Sequence, residues 1–255
     1  MATIEHWQAE LSNPALVQSF ATSAETVEIP TTVMRGTPPV ATEIKVLVVT
    51  TPVKVLAKQA SIALGVSISE DENSLGRLLK SEGYSGSVSE KARALIGIGQ
   101  AIVRRARKRF PGSNRPVTDL LTYSSFQFAN GKYGEQSGRV AATSQDPRPW
   151  HLMVAKDILS GALPDVAPNA TSFLEAWQKG ASQRGKALRD FIAVVTKWHR
   201  KDKLAWVGPV PGLSGKLLFF AKETDPGKRE TALSNLVAWY KAHDFGAKEP
   251  SSEGH

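Results

Sequence analysis

Along residues 89–109, apolar side chains return every third or fourth position, at Ala92, Leu95, Ile96, Gly99, Ile102, Val103 and Ala106. Pro111 and Gly112 then stop the pattern. This is the period of an α-helix with one long buried stripe, so a core helix is expected here, opening at Ser89. Such a stripe needs partners, and the chain supplies them. Val117, Leu120 and Leu121 mark a short helix, residues 150–159 a further one closed by Gly161, and residues 182–198 another. Leu233, Leu236, Val237 and Tyr240 fall on one face of a last helix over about 228–243. Strands are expected in the first 65 residues, where 27–29 and 43–50 are β-branched and bounded by prolines and Gly36. The fold class read from this pattern is mainly α (α+β).

With 255 residues the chain can bury one good core and a small accessory element. Its composition, 41% hydrophobic and 22% charged, is that of a globular protein rather than a disordered or membrane-spanning one. No apolar run approaches the roughly 18 residues that span a bilayer. The opening MATIEHWQAELSNP lacks a basic segment followed by an apolar one, so no secretory signal is expected. Cysteine is absent, which removes disulfides and thiol catalysis. The formal charge of +8 suits a polyanionic partner such as nucleic acid or a bacterial wall. Its densest cluster is Arg104, Arg105, Arg107, Lys108 and Arg109. These cations read best as the solvated, dipole-complementing last turn of a helix. No aromatic-interleaved nucleic-acid motif accompanies them, so nucleic acid is the weaker reading.

The segment SISEDENSLGRLLKSEGYSG carries the most chemistry. Ser69 and Glu72 match a capping box, and Asp71 adds charge where a helix start favours it. Leu75, Leu78 and Leu79 define the apolar face, and Glu82 follows at i+7, i+4 and i+3 from them. A carboxyl on that face should be desolvated and hold its proton to higher pH, as general-acid cleavage of a glycosidic bond requires. The bland alternative is a helix-end glutamate that bends outward or pairs with an arginine.

Beyond Glu82 the order of features resembles the SleB-like cell-wall hydrolases, a branch of the lysozyme and lytic-transglycosylase world. A helix ends in LLKSEGYSG, a long helix ends in RRARKRF, and VTDLLTYSSFQF brings a Gln-Phe pair. AKDILSGALPD, APNATSF and the closing WVGPVPGLSGKLLFF complete the series over residues 66–222. The resemblance implies a lysozyme-like helical domain with a groove for a peptidoglycan glycan strand. It implies Glu82 as the catalytic acid/base, with Gln127, Phe128, Tyr84, Thr171 and Phe173 contacting substrate. Ser172 stands where the family often has tyrosine, and Leu174 and Glu175 where an asparagine is frequent.

Two routes fit a single essential glutamate. A hydrolase needs a second carboxylate, for which Glu135 and Asp146 are candidates, each more simply read as a surface acid. A lytic transglycosylase needs none, because the substrate's own 6-hydroxyl can attack, and the resemblance leans that way. No cofactor is expected, since no nucleotide-binding glycine motif occurs. No metal is expected either, because the histidines (His6, His151, His199, His243, His255) are scattered. His151, near a helix start, is expected at the surface.

The implied organisation is an N-terminal extension (1–65), the hydrolase domain (66–222), a C-terminal helix (223–245) and a disordered tail (246–255). The extension and the C-terminal helix are suited to docking onto particle or phage-tail proteins. Such delivery would bring an enzyme without a signal peptide to the extracytoplasmic wall. A catalytically inactive structural or docking component of the same particle is the alternative.

Overall fold

The computed structural model describes residues 2–14, 25–35, 40–50, 53–82, 87–122, 147–175, 184–213 and 217–243. Tyr84, Gln127, Phe128, Glu135, Asp146 and the tail 246–255 lie outside the described residues. The protein is mostly helical with a small three-stranded sheet, and it divides into two units, Met1–Pro164 and Asp165–His255.

In the first unit, α1 (Ile4–Leu11) precedes an antiparallel pair, β1 (Glu25–Arg35) and β2 (Val40–Thr50), with Glu25 opposite Thr50 and Arg35 opposite Val40. Helices α2 (Val53–Leu64), α3 (Glu70–Glu82), α4 (Val88–Arg109), α5 (Pro116–Thr122) and α6 (Pro149–Leu159) follow. α3 is the centre of this unit, packed against α2, α4, α5 and α6. Leu75, Leu78 and Leu79 are fully enclosed, as are Ile96 on α4, Leu121 on α5 and Leu152 on α6. Gly99 has a specific part in this packing. A β-carbon there would stand 2.6 Å from Ile158 Cδ1, so the bare backbone lets α4 and α6 close up. The basic end of α4 points outward, with Arg105, Arg107, Lys108 and Arg109 exposed.

The division of the chain differs from the one the sequence suggests, and packing explains why. Trp7 is buried, and its indole N–H donates to Asp157 Oδ2 at 3.0 Å, tying α1 to α6, while α1 also lies on α4. α2, in a stretch expected to be extended, sets Leu56, Ala57 and Ala60 inward, the last two clustering with Ile68 and Leu152. Its sequence, VKVLAKQASIAL, places those residues at helical spacing, and a proline just ahead of a helix start costs nothing. The helical core therefore recruits both ends of residues 1–65.

The second unit holds β3 (Ala170–Glu175), α7 (Arg184–Lys201), β4 (Leu204–Trp206), β5 (Leu217–Lys222) and α8 (Pro226–Ala242). β5 is the central strand, antiparallel to β3 on one side and β4 on the other. Phe191 and Val195 from α7, Leu204, Leu218 and Phe220 from the sheet, and Leu236 and Tyr240 from α8 form one core. Asp225 starts α8 by accepting the N–H groups of Gly227 (2.8 Å) and Lys228 (3.2 Å), which also hold its carboxyl below the ordinary range. The closing strand and last helix thus fold together, across the boundary expected after residue 222.

Among the described residues, no helix is long and apolar enough to cross a membrane.

Candidate functional site

The helix that carries Glu82 is fixed at its start by paired local bonds. Ser69 N–H donates to Glu72 Oε2 (2.7 Å) and Glu72 N–H to Ser69 Oγ (3.2 Å), which is the reciprocal cap read from the sequence. One position in, Asp71 is buried and bonds to a different helix. Its Oδ1 accepts the N–H (2.8 Å) and the hydroxyl (3.2 Å) of Thr118, and Thr118 also bonds to Ser74 at 3.0 Å. A carboxylate of α3 thereby satisfies a donor that α5 leaves open in its first turn. Burial raises the Asp71 carboxyl, and the Thr118 bonds pull against that rise.

From this anchored start, the enclosed leucines set the rotation of α3. The same rotation brings Glu82, the last residue of the helix, inward, where it is 8% exposed. Its burial follows from spacing: a position on a fully enclosed leucine stripe cannot reach water without leaving the helix.

The expectation for His151 is overturned. It is buried, only 4% exposed, and its ring stacks on Trp150 with centroids 3.7 Å apart. α6 is apolar on most faces and runs beside α3, so a position near its start is interior rather than superficial. The Arg148 N–H donates to His151 Nδ1 at 3.1 Å. A backbone N–H can only donate, so the neutral ring carries its proton on Nε2. Burial drives the imidazole well below its ordinary value, and Lys80, Arg148 and Lys91 push the same way. The His151 carbonyl oxygen stands 3.5 Å from where a β-carbon on Gly76 would lie, so the residue's backbone packs against the middle of α3.

A pH dependence follows from this. The folded chain refuses a proton on His151 that the unfolded chain accepts below about pH 6.5. The stability this residue contributes is complete above that pH and drains away as pH falls. Asp71 has the opposite sign: its raised carboxyl favours folding at low pH, and that contribution is lost as pH climbs through the raised value. His151→Gln keeps an acceptor for the Arg148 N–H and removes the titration. It should flatten the loss of stability from about pH 7 to 5 by up to about 1.4 kcal/mol per pH unit. Urea unfolding at both pH values checks this, and an unchanged slope would mean that His151 titrates alike in both states.

Asp71 and Glu82 are the buried carboxylates among the described residues. They stand eleven positions apart on one helix, hence about 16 Å along its axis. Carboxyl pairs in glycosidases work at about 5–9.5 Å, so these two do not form one. Glu82 closes α3, whereas the His151 backbone packs against the middle of that helix, beside Gly76. Thr171 and Phe173 belong to β3 of the second unit, half-buried. No group of acids and histidines suited to a metal ion occurs among the described residues. The sequence marks His151 as a surface residue and Asp71 only as first-turn charge, and the burial of both is seen in the fold. An apolar helix with a polar residue three positions past its cap was the available signal for the first.

No family model, no curated protein and no solved structure matches this chain.

Proposed function

We propose that the chain cleaves peptidoglycan glycan strands, with Glu82 as a single acid/base. The observation that carries the reading is Glu82 itself, buried at the end of α3 on the face formed by Leu75, Leu78 and Leu79. A carboxyl so placed is shielded from bulk water and suited to deliver a proton to a glycosidic oxygen. Asp71 is about 16 Å from Glu82 along the helix and so is not its partner carboxylate, and the family resemblance favours a route that needs none. In that route Glu82 first protonates the leaving oxygen, then accepts the proton of the substrate's 6-hydroxyl as it closes an anhydro ring. The resemblance assigns Gln127, Phe128, Tyr84, Thr171 and Phe173 to substrate contact, and those roles belong to the same proposal. Digestion of purified peptidoglycan followed by mass spectrometry tests it. Anhydro-muramic ends are the expected product, reducing ends would assign a hydrolase, and intact strands would sink the reading.

Delivery inside a particle, to a wall outside the cytoplasm, is supported by one further feature. β1 and β2 are eleven residues each and, among the described residues, form a sheet of two. Each then has one edge whose backbone groups can pair with another chain. A non-catalytic docking component would share that feature and would leave peptidoglycan intact.

A further inference from the structure

In the second unit the chain leaves β4 at Trp206 and runs beside the first turns of α8. Between them lies a groove of about 650 Å³, within the size range of small-molecule sites. One wall is the indole of Trp206, half-buried and leaning on Trp239 with ring centroids 5.3 Å apart. Val207, 37% exposed, and Pro209 continue that wall. Gly208, at φ 96°, lets the segment turn there, in a conformation that side chains disfavour. The facing wall is α8, which presents Lys228, Thr231 and Asn235, with Asp225 at its foot, all exposed.

The chemistry of these walls narrows the ligand. Asp225 and Lys228 offset one another, so the groove has no excess charge although the chain carries +8. An anionic polymer would find no selective attraction in it. Asn235 offers both donors and an acceptor. The Thr231 hydroxyl donates to Gly227 O at 3.0 Å, which leaves its oxygen to accept. An aromatic face opposite a row of neutral hydrogen-bonding groups suits a ligand with one apolar face and a rim of hydroxyls. A pyranose ring has that form: its axial C–H bonds pack on the indole while equatorial hydroxyls and acetamido groups meet the amide and the threonine. The indole N–H of Trp206 is enclosed and has no acceptor among the described residues. Such a cost is found where a ring is held for use rather than for its own bonding.

We infer that the groove between residues 206–209 and α8 is a saccharide-binding site for a neutral hexose or N-acetylhexosamine unit. Its assignment to wall glycan rests on the function proposed above, whereas recognition of the sugar rests on the groove alone. The test uses the full chain and the β-1,4-linked disaccharide of N-acetylglucosamine, titrated by ligand-observed NMR. Thr231→Arg, which fills the groove, and Asn235→Ala, which removes the amide, alter exposed positions and should leave the melting temperature unchanged. Each should weaken binding about tenfold, the scale of one or two lost contacts. Trp206→Phe, which keeps a ring but narrows the face, should give an intermediate loss. Undiminished binding in both helix variants, or no binding by the parent chain, overturns the inference. Wall cleavage measured in parallel separates the two readings. Disaccharide binding that depends on Thr231 and Asn235 without cleavage leaves the groove standing and removes the proposed enzyme. Cleavage with binding indifferent to both residues does the reverse.

Discussion

Replacing Glu82 by glutamine is expected to lower glycan-strand cleavage at least about a hundredfold, the ordinary scale of general-acid catalysis. The amide matches the carboxyl in shape and volume but has no proton of suitable acidity to give a departing oxygen. Position decides the size of the effect. Glu82 is enclosed at the end of a helix whose leucines are fully buried, and Asp71 is too far along α3 to take its place. Because glutamine keeps the volume and one acceptor oxygen, the variant should remain folded. Turnover of peptidoglycan and thermal denaturation together check this. A folded Glu82→Gln chain that still cleaves would remove Glu82 from the mechanism. A variant that unfolds would make it structural.

How far the sequence could lead to these features depended on how local their causes are. The rotation of α3 was legible because a reciprocal Ser69–Glu72 cap and three leucines fix a helix within a few residues. α4 was legible for the same reason, its stripe ending at a proline and a glycine. α2 was not, because Val53, Val55 and the prolines before it suggest extended chain. Its inward residues do stand at helical spacing, but contact with Ile68 and Leu152 decides in favour of the helix, and that contact is a tertiary fact. His151 was misplaced because one polar residue near a helix start belongs to the surface unless the helix is buried all round. The division after Pro164 was hidden in a similar way. Trp7 reaches Asp157 across 150 residues, and β5 joins β3 across more than 40, separations that no periodicity records.

The second large effect is expected at Phe191, on whose burial the small unit depends. The ring is fully enclosed and lies flat on Tyr240, with centroids 4.0 Å apart and planes 17° from parallel. It joins α7 to α8, while Val195, Leu204, Leu218, Phe220 and Leu236 complete the cluster from the helices and the sheet. In a unit this small each buried aromatic ring is a large share of the apolar area removed from water. Phe191→Ala removes the ring and leaves a cavity between two helices and a sheet. The cost should be about 3–5 kcal/mol, against a total of about 5–15 kcal/mol for a typical domain. Ile192→Ala, one position along and only partly buried, should cost distinctly less. The denaturant midpoint is the measurement, with the slope unchanged if the transition remains two-state. Because the cluster also holds α8 against the sheet that includes β4, Phe191→Ala should weaken disaccharide binding at the Trp206 groove without touching a lining residue. A loss below about 1 kcal/mol, with binding intact, would show that α8 is held by something other than this core.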